Sequence, residues 1–190
     1  MKKIVSALLL IALSVGCTSI QKTTRIASPL KAKEFNSIAS KYLDRPTFVS
    51  VQTMSDGQTV LTIERDDYLN QYQGVMSSLR FSKDSVSRYL QLIQKYEEWE
   101  KLARDRGDQI TKEIGREKAW GNLASNKLKF LMHSGNSHNH FLAISNCSAG
   151  TCLDERALYF SSSDAQELKL LLIGFDAGKI VSNTLDDVYK

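Results

Sequence analysis

The chain carries none of the short motifs that announce common enzyme chemistries: no G-x-S-x-G, no H-E-x-x-H, no Walker A loop and no G-x-G-x-x-G. That leaves no motif-based case for a nucleophile elbow, a zincin, a P-loop or a dinucleotide fold. Charge of one sign is also scarce. The formal net charge is +4, and removal of Lys2 and Lys3 with a leader leaves +2, too weak a balance to argue for nucleic acid. The N-terminal apolar run, Ile4 to Leu13, falls short of the roughly 20 residues that span a bilayer core. Composition is ordinary, with 42% hydrophobic and 24% charged residues, which excludes a disordered or fibrous chain. Cysteine and histidine are sparse, three of each, and five of those six residues lie between His133 and Cys152.

What is present begins with Met1-Lys2-Lys3, a positive n-region, followed by the apolar run and small residues, the pattern of an exported protein's signal peptide. Leu13-Ser14-Val15-Gly16-Cys17 resembles the lipobox of bacterial lipoproteins, with Ser14 where the family usually has leucine. The resemblance implies that the thiol of Cys17 receives a diacylglycerol, that residues 1–16 are removed, and that the new amino group is acylated. One acyl chain binds a membrane only marginally, so several on one residue make a stable anchor. Thr18 follows the cysteine, with no aspartate there, and by the same resemblance this implies the outer membrane, facing the periplasm. The family says nothing about the body of the chain.

Cysteine arithmetic agrees with export. Once Cys17 is acylated, Cys147 and Cys152 remain as a pair, and an oxidising compartment favours a disulfide between them. A C-x4-C zinc site would need a second cysteine pair, which the sequence lacks.

Residues 17–29 read as a polar, flexible, lipidated tether, and 30–190 as a single α+β domain. Within it, Phe35, Ile38, Ala39 and Tyr42 have helical spacing, so a helix is expected over 31–43, ended by Pro46. Phe48–Thr53 and Thr59–Ile63 alternate around the turn signal Ser55-Asp56-Gly57, and Val75–Phe81 reads as a third strand. Ser82 is the expected cap of a helix whose stripe is Val86, Tyr89, Leu90, Ile93 and Tyr96. Residues 106–125 fit either a helix or a short strand. Ser134-Gly135-Asn136 stands 79 residues after Ser55-Asp56-Gly57. The same offset sets Leu128 on Val49, Phe130 on Val51, Leu142 on Ile63, Leu158 on Leu79, Phe160 on Phe81 and Ser161 on Ser82. It also sets Leu168, Leu171, Leu172 and Phe175 on Tyr89, Leu92, Ile93 and Tyr96. Self-similarity of this length points to a repeated unit. The expectation is an antiparallel sheet of about six strands from two ββ-β-α units, about 46–105 and 126–178, with the helices on one face.

The histidines pose the sharpest question. A two-residue turn at Gly135-Asn136 would set His133 opposite His138 with His140 beside them, a geometry suited to a catalytic zinc with an open position. A three-residue loop instead pairs Met132 with His138 and Phe130 with His140, and takes His133 out of the cluster; a one-residue slip moves every side chain to the other face. The first hairpin favours the longer loop, since it sets Val49 opposite Ile63 and Val51 opposite Leu61, with Gly57 at the left-handed third position. By the repeat, Asn136 takes that position, His140 takes the place of Leu61, His138 lies beside the apolar face, and His133 stands apart. The adjacent carboxylates Asp154 and Glu155 read as strand neighbours pointing to opposite faces, and Trp99 as core.

The resulting expectation is a membrane-anchored envelope lipoprotein with a non-catalytic domain. It would bind an envelope protein or polymer through loops or an open sheet face, without cofactor or nucleic acid. The alternative is a metal-binding protein or metal-dependent hydrolase that uses His133, His138 and His140.

Overall fold

A computed structural model describes residues 18–66, 77–121 and 126–180. It is a mixed, mostly β structure with two antiparallel sheets and two helices rather than one sheet of about six strands. The first sheet has four strands in the order β1 (Ile20–Ile26), β4 (Thr47–Met54), β5 (Thr59–Arg65) and β6 (Ser77–Ser82). The second has seven. Its path runs β3 (Lys41–Arg45), β2 (Ala32–Asn36), β11 (Leu158–Phe160), β9 (His140–Ser148), β8 (Lys127–Ser134), β7 (Thr111–Lys118), and the short β10 (Thr151–Cys152) pairs with β9. Helix α1 (Val86–Arg106) and helix α2 (Ser162–Asp176) follow β6 and β11.

The first hairpin forms as its alternation predicts. Val49 pairs with Ile63 and Val51 with Leu61 across a three-residue loop, and Gly57 adopts φ 82°, the left-handed position that favours glycine. The second hairpin keeps the predicted parity but not the register. Met132 pairs with Leu142 and Phe130 with Ile144, and Gly135 N–H donates to Asn139 O as Met54 N–H does to Gln58 O, so this loop too has three residues, Asn136 to His138, centred two residues later than the repeat predicts. Asn136 is not left-handed. Its Oδ1 accepts hydrogen bonds from the backbone N–H of His138 and of Asn139, each at 2.9 Å, and this side-chain bracket stabilises the displaced loop. Row for row, Phe130–Ile144–Leu158 corresponds to Val49–Ile63–Leu79, and Leu142 stands where Leu61 does; His140 does not.

The order ββ-β-α therefore occurs twice, as β4-β5-β6-α1 and β8-β9-β11-α2. The helix stripes agree: Tyr89, Ile93 and Tyr96 are buried in one, Leu168, Leu172 and Phe175 in the other. The caps do not. Ser161 makes a full capping box with Asp164, whereas Ser82 makes no side-chain cap bond and opens a 3-10 turn ahead of α1. Both helices pack on one face of the second sheet, against Leu128, Phe130, Met132, Leu142, Ile144 and Phe160. The Tyr89 ring meets Phe81 edge-on at 5.1 Å and stacks near Phe130 at 6.0 Å, joining the two units in one core.

Three segments differ from the sequence reading. The expected helix over 31–43 is the hairpin β2–β3. Its apolar residues fit a helical spacing, but Phe35 and Tyr42 are cross-strand partners, and ion pairs from Lys33 to Asp44 and from Arg45 to Glu34 fasten the two strands. The expected tether is largely strand β1, because Ile20, Thr24 and Ile26 complete the edge of β4. Of the two alternatives left open for residues 106–125, the strand forms: 111–118 are β7, with a bulge between Glu113 and Gly115. Asp154 and Glu155 lie in a 3-10 turn, not a strand. Trp99 is half-buried at the rim, flanked by the ammonium groups of Lys95 at 4.9 Å and Lys112 at 5.1 Å.

Candidate functional site

The outer face of the second sheet carries the most distinctive chemistry. Alternation with Met132, Leu142 and Phe160 turns His133, Phe141 and Tyr159 away from the helices. The β2–β3 hairpin folds back over this face and lays Tyr42 on it. The Tyr42 ring centroid is 4.4 Å from Phe141, 4.9 Å from Tyr159, 5.6 Å from His133 and 5.2 Å from Phe35. These are the separations at which tilted and edge-on aromatic pairs attract beyond simple burial. Gly135 lies beneath, where a Cβ would stand 3.1 Å from the Tyr42 ring, so a side chain there would make the ring shift by a few tenths of an ångström.

His133 is held at both ring nitrogens. Nε2 meets the Tyr42 hydroxyl at 2.5 Å and Nδ1 meets Thr111 Oγ1 at 2.9 Å. Burial, with the neighbouring Tyr159 adding to it, pushes the Tyr42 phenol up to about 12. The phenol therefore stays protonated and donates to Nε2, which leaves Nδ1–H to donate to Thr111. Burial also holds the His133 imidazole below its ordinary range, favouring the neutral ring this network needs.

Beyond Tyr42 the hairpin exposes apolar surface. Ile38 at its tip is 97% accessible and Phe35 is 50% accessible. The Asn36 side chain accepts the Ala39 N–H, and Ser40 sits at φ 48°, which gives the tip a defined turn.

The three histidines do not converge. His133 is on the outer face. His138 is exposed in the loop, not beside the apolar face. His140 is buried on the helix side, where Ser134 Oγ accepts the Ile110 N–H and meets His140 Nδ1 at 2.8 Å. Burial lowers the His140 pKa, and its Nε2 has no hydrogen-bond partner among the described residues. Among the described residues no group of three His, Cys, Asp or Glu side chains is placed to hold a metal ion. The register that would align the three imidazoles is off by enough to put two of them on opposite faces.

Cys147 and Cys152 are bonded to each other. They are direct partners across β9 and β10, and Ala149 and Gly150, both at positive φ, make the tight turn between them. Cys17 lies outside the described residues.

Sequence reasoning missed Phe35, Ile38 and Tyr42 as surface groups because it set them on one helical stripe. The available signal was period 2 on each side of Asn36-Ser37, with Lys33 and Phe35 alternating with Glu34, and Tyr42 with Leu43. No protein-family model matches the chain, and no curated protein matches it. No helix among the described residues is long and apolar enough to cross a membrane.

Proposed function

We propose that this protein is an envelope lipoprotein, anchored through acylated Cys17, whose non-catalytic domain binds an envelope protein through the β2–β3 hairpin. The observation that carries the binding part is the pairing of an exposed apolar tip, Ile38 and Phe35, with a rigid base, Tyr42 packed on Phe141, Tyr159 and His133. Exposed apolar side chains on an ordered support are what protein interfaces use as anchors, because little conformational entropy is lost on docking. The anchoring part rests on the lipobox resemblance. The two ββ-β-α segments are, in this reading, copies of one unit.

Two measurements test it. Cys17→Ser should move the protein from the membrane fraction to the soluble one; retention in the membrane would defeat the anchor. A photo-crosslinking residue at Ile38 should trap one discrete adduct in cells, and Tyr42→Ala should weaken it. Adducts no different from those at exposed Lys101 on α1 would defeat the hairpin as the contact.

A further inference from the structure

The fold leaves almost no slack between the anchor and the domain. Ser19 is already hydrogen-bonded into the structure: its N–H donates to Ser55 Oγ at 3.0 Å, and its carbonyl accepts the Ser55 N–H at 2.8 Å. From Ile20 onward, β1 is paired with β4. Only Thr18 separates Ser19 from Cys17. Two chain steps reach about 7 Å even when fully extended. A flexible linker of a dozen residues, by contrast, would average about 20 Å end to end and leave orientation free.

We infer that the β4–β5 turn, Ser55 to Gln58, and the start of β1 are held against the membrane surface, so that the domain is mounted in one orientation and does not swing on a tether. This rests on the reading of Cys17 as the acylated residue. The side chains at this end fit a lipid headgroup layer: Ile20 is 45% accessible, and the turn residues Ser55, Asp56, Gly57 and Gln58 are all exposed. The charges there are balanced. Lys22 is the partner of Thr53, Lys83 and Asp84 follow the Val60–Ser82 pair, and Asp56 is in the turn, two charges of each sign, so this set supplies no net attraction to anionic lipid. The covalent anchor holds the face down. The β8–β9 loop is elsewhere. Helix α1 starts just beyond Ser82, the partner of Val60 beside the turn, and its 21 residues run about 30 Å to the segment where Ile110 is hydrogen-bonded both ways to Ser134, at the base of the β8–β9 loop.

Fluorescence quenching on the acylated protein in vesicles tests this. With Cys17 acylated and Cys147 bonded to Cys152, one introduced cysteine is the only free thiol. Gln58→Cys and His138→Cys are each labelled with an environment-sensitive dye, in phosphatidylcholine vesicles carrying headgroup-nitroxide lipid. The expected result is several-fold stronger quenching at position 58 than at 138, unchanged when a third of the lipid is made anionic. Ten Gly-Ser residues inserted between Thr18 and Ser19 should remove most of that difference while the protein stays vesicle-bound. Equal quenching at the two positions, or a difference the insertion leaves intact, would overturn the inference in a protein whose mass shows acylated Cys17. A mass without acyl chains would instead overturn the anchor itself.

Discussion

Tyr42 does two jobs that substitutions separate. Its hydroxyl meets His133, and its ring fills the space between Phe141, Tyr159 and Gly135. Tyr42→Phe keeps the ring and loses one hydrogen bond, at a cost of about 1 kcal/mol. Tyr42→Ala loses the ring as well, and a half-buried aromatic should cost about 2–3 kcal/mol, below the full range for a fully buried one. Urea denaturation of the two variants reads this difference directly. The histidines add a pH dependence. Burial places the folded-state pKa of His133 and of His140 below the ordinary value. The unfolded chain therefore binds more protons in the window below about 6.5, and stability present above that pH is lost as pH falls toward the folded values. Asp44 titrates lower, held down by the Lys33 ammonium beside it, as does Asp154, where hydrogen bonds from Lys129 and Ser145 outweigh burial. Thermal melts from pH 7.5 to 5.5 should show Tm falling, and the pair His133→Gln with His140→Gln should flatten the slope while lowering Tm at pH 7.5.

At the scale of elements, local signals were legible where they agreed with the partner strand. Gly57 announced its loop, and the alternation of Val49, Val51, Leu61 and Ile63 announced its register. The second loop was misread because Asn136 works through its side chain, bracketing two backbone N–H groups, and not through a left-handed backbone. β2–β3 was misread because four apolar residues happened to satisfy helical spacing, while the ion pairs that staple the hairpin are long-range facts no period encodes. The caps show the same divide. Ser161 and Ser82 are equivalent by offset, yet only Ser161 accepts the backbone N–H of Asp164. Ser161→Ala should therefore cost about 1 kcal/mol, and Ser82→Ala less than about 0.5 kcal/mol, by denaturant titration. The disulfide is legible from sequence and local in effect. It closes a loop with sequence separation 5, for which chain entropy gives about 2 kcal/mol, so the double serine variant at Cys147 and Cys152 should fold but melt several degrees lower.

At the scale of the whole molecule, the repeated order of elements invites the idea of two independent halves, and the packing argues against it. Phe81 from the first unit, Tyr89 from its helix and Phe130 from the second unit meet at 5.1 Å and 6.0 Å, all fully buried. The Tyr96 hydroxyl donates to the carbonyl of His140, and Lys169 on α2 reaches Glu97 on α1. The first unit buries its helix stripe against the second unit's sheet, while α2 packs on its own unit's β9 and β11 and against α1. The sequence showed the stripes but could not show that α1 crosses to the second sheet, since the offset that aligns the units says nothing about how they pack. Phe130→Ala should cost about 3–5 kcal/mol. Because the core is shared, the loss should appear as one earlier transition and not as melting of the second unit alone. Trp99 lies on α1 in the first unit, and Trp120 is crossed by the guanidinium of Arg80 on β6. Trp99 also lies against Lys112 of β7, so both rings sit where first-unit elements meet the second sheet, and their fluorescence reports that junction. If the tryptophan signal and far-UV circular dichroism shift together in urea, the units fold as one; if circular dichroism falls while the tryptophan signal holds, the halves are separable and the shared core is not what stabilises them.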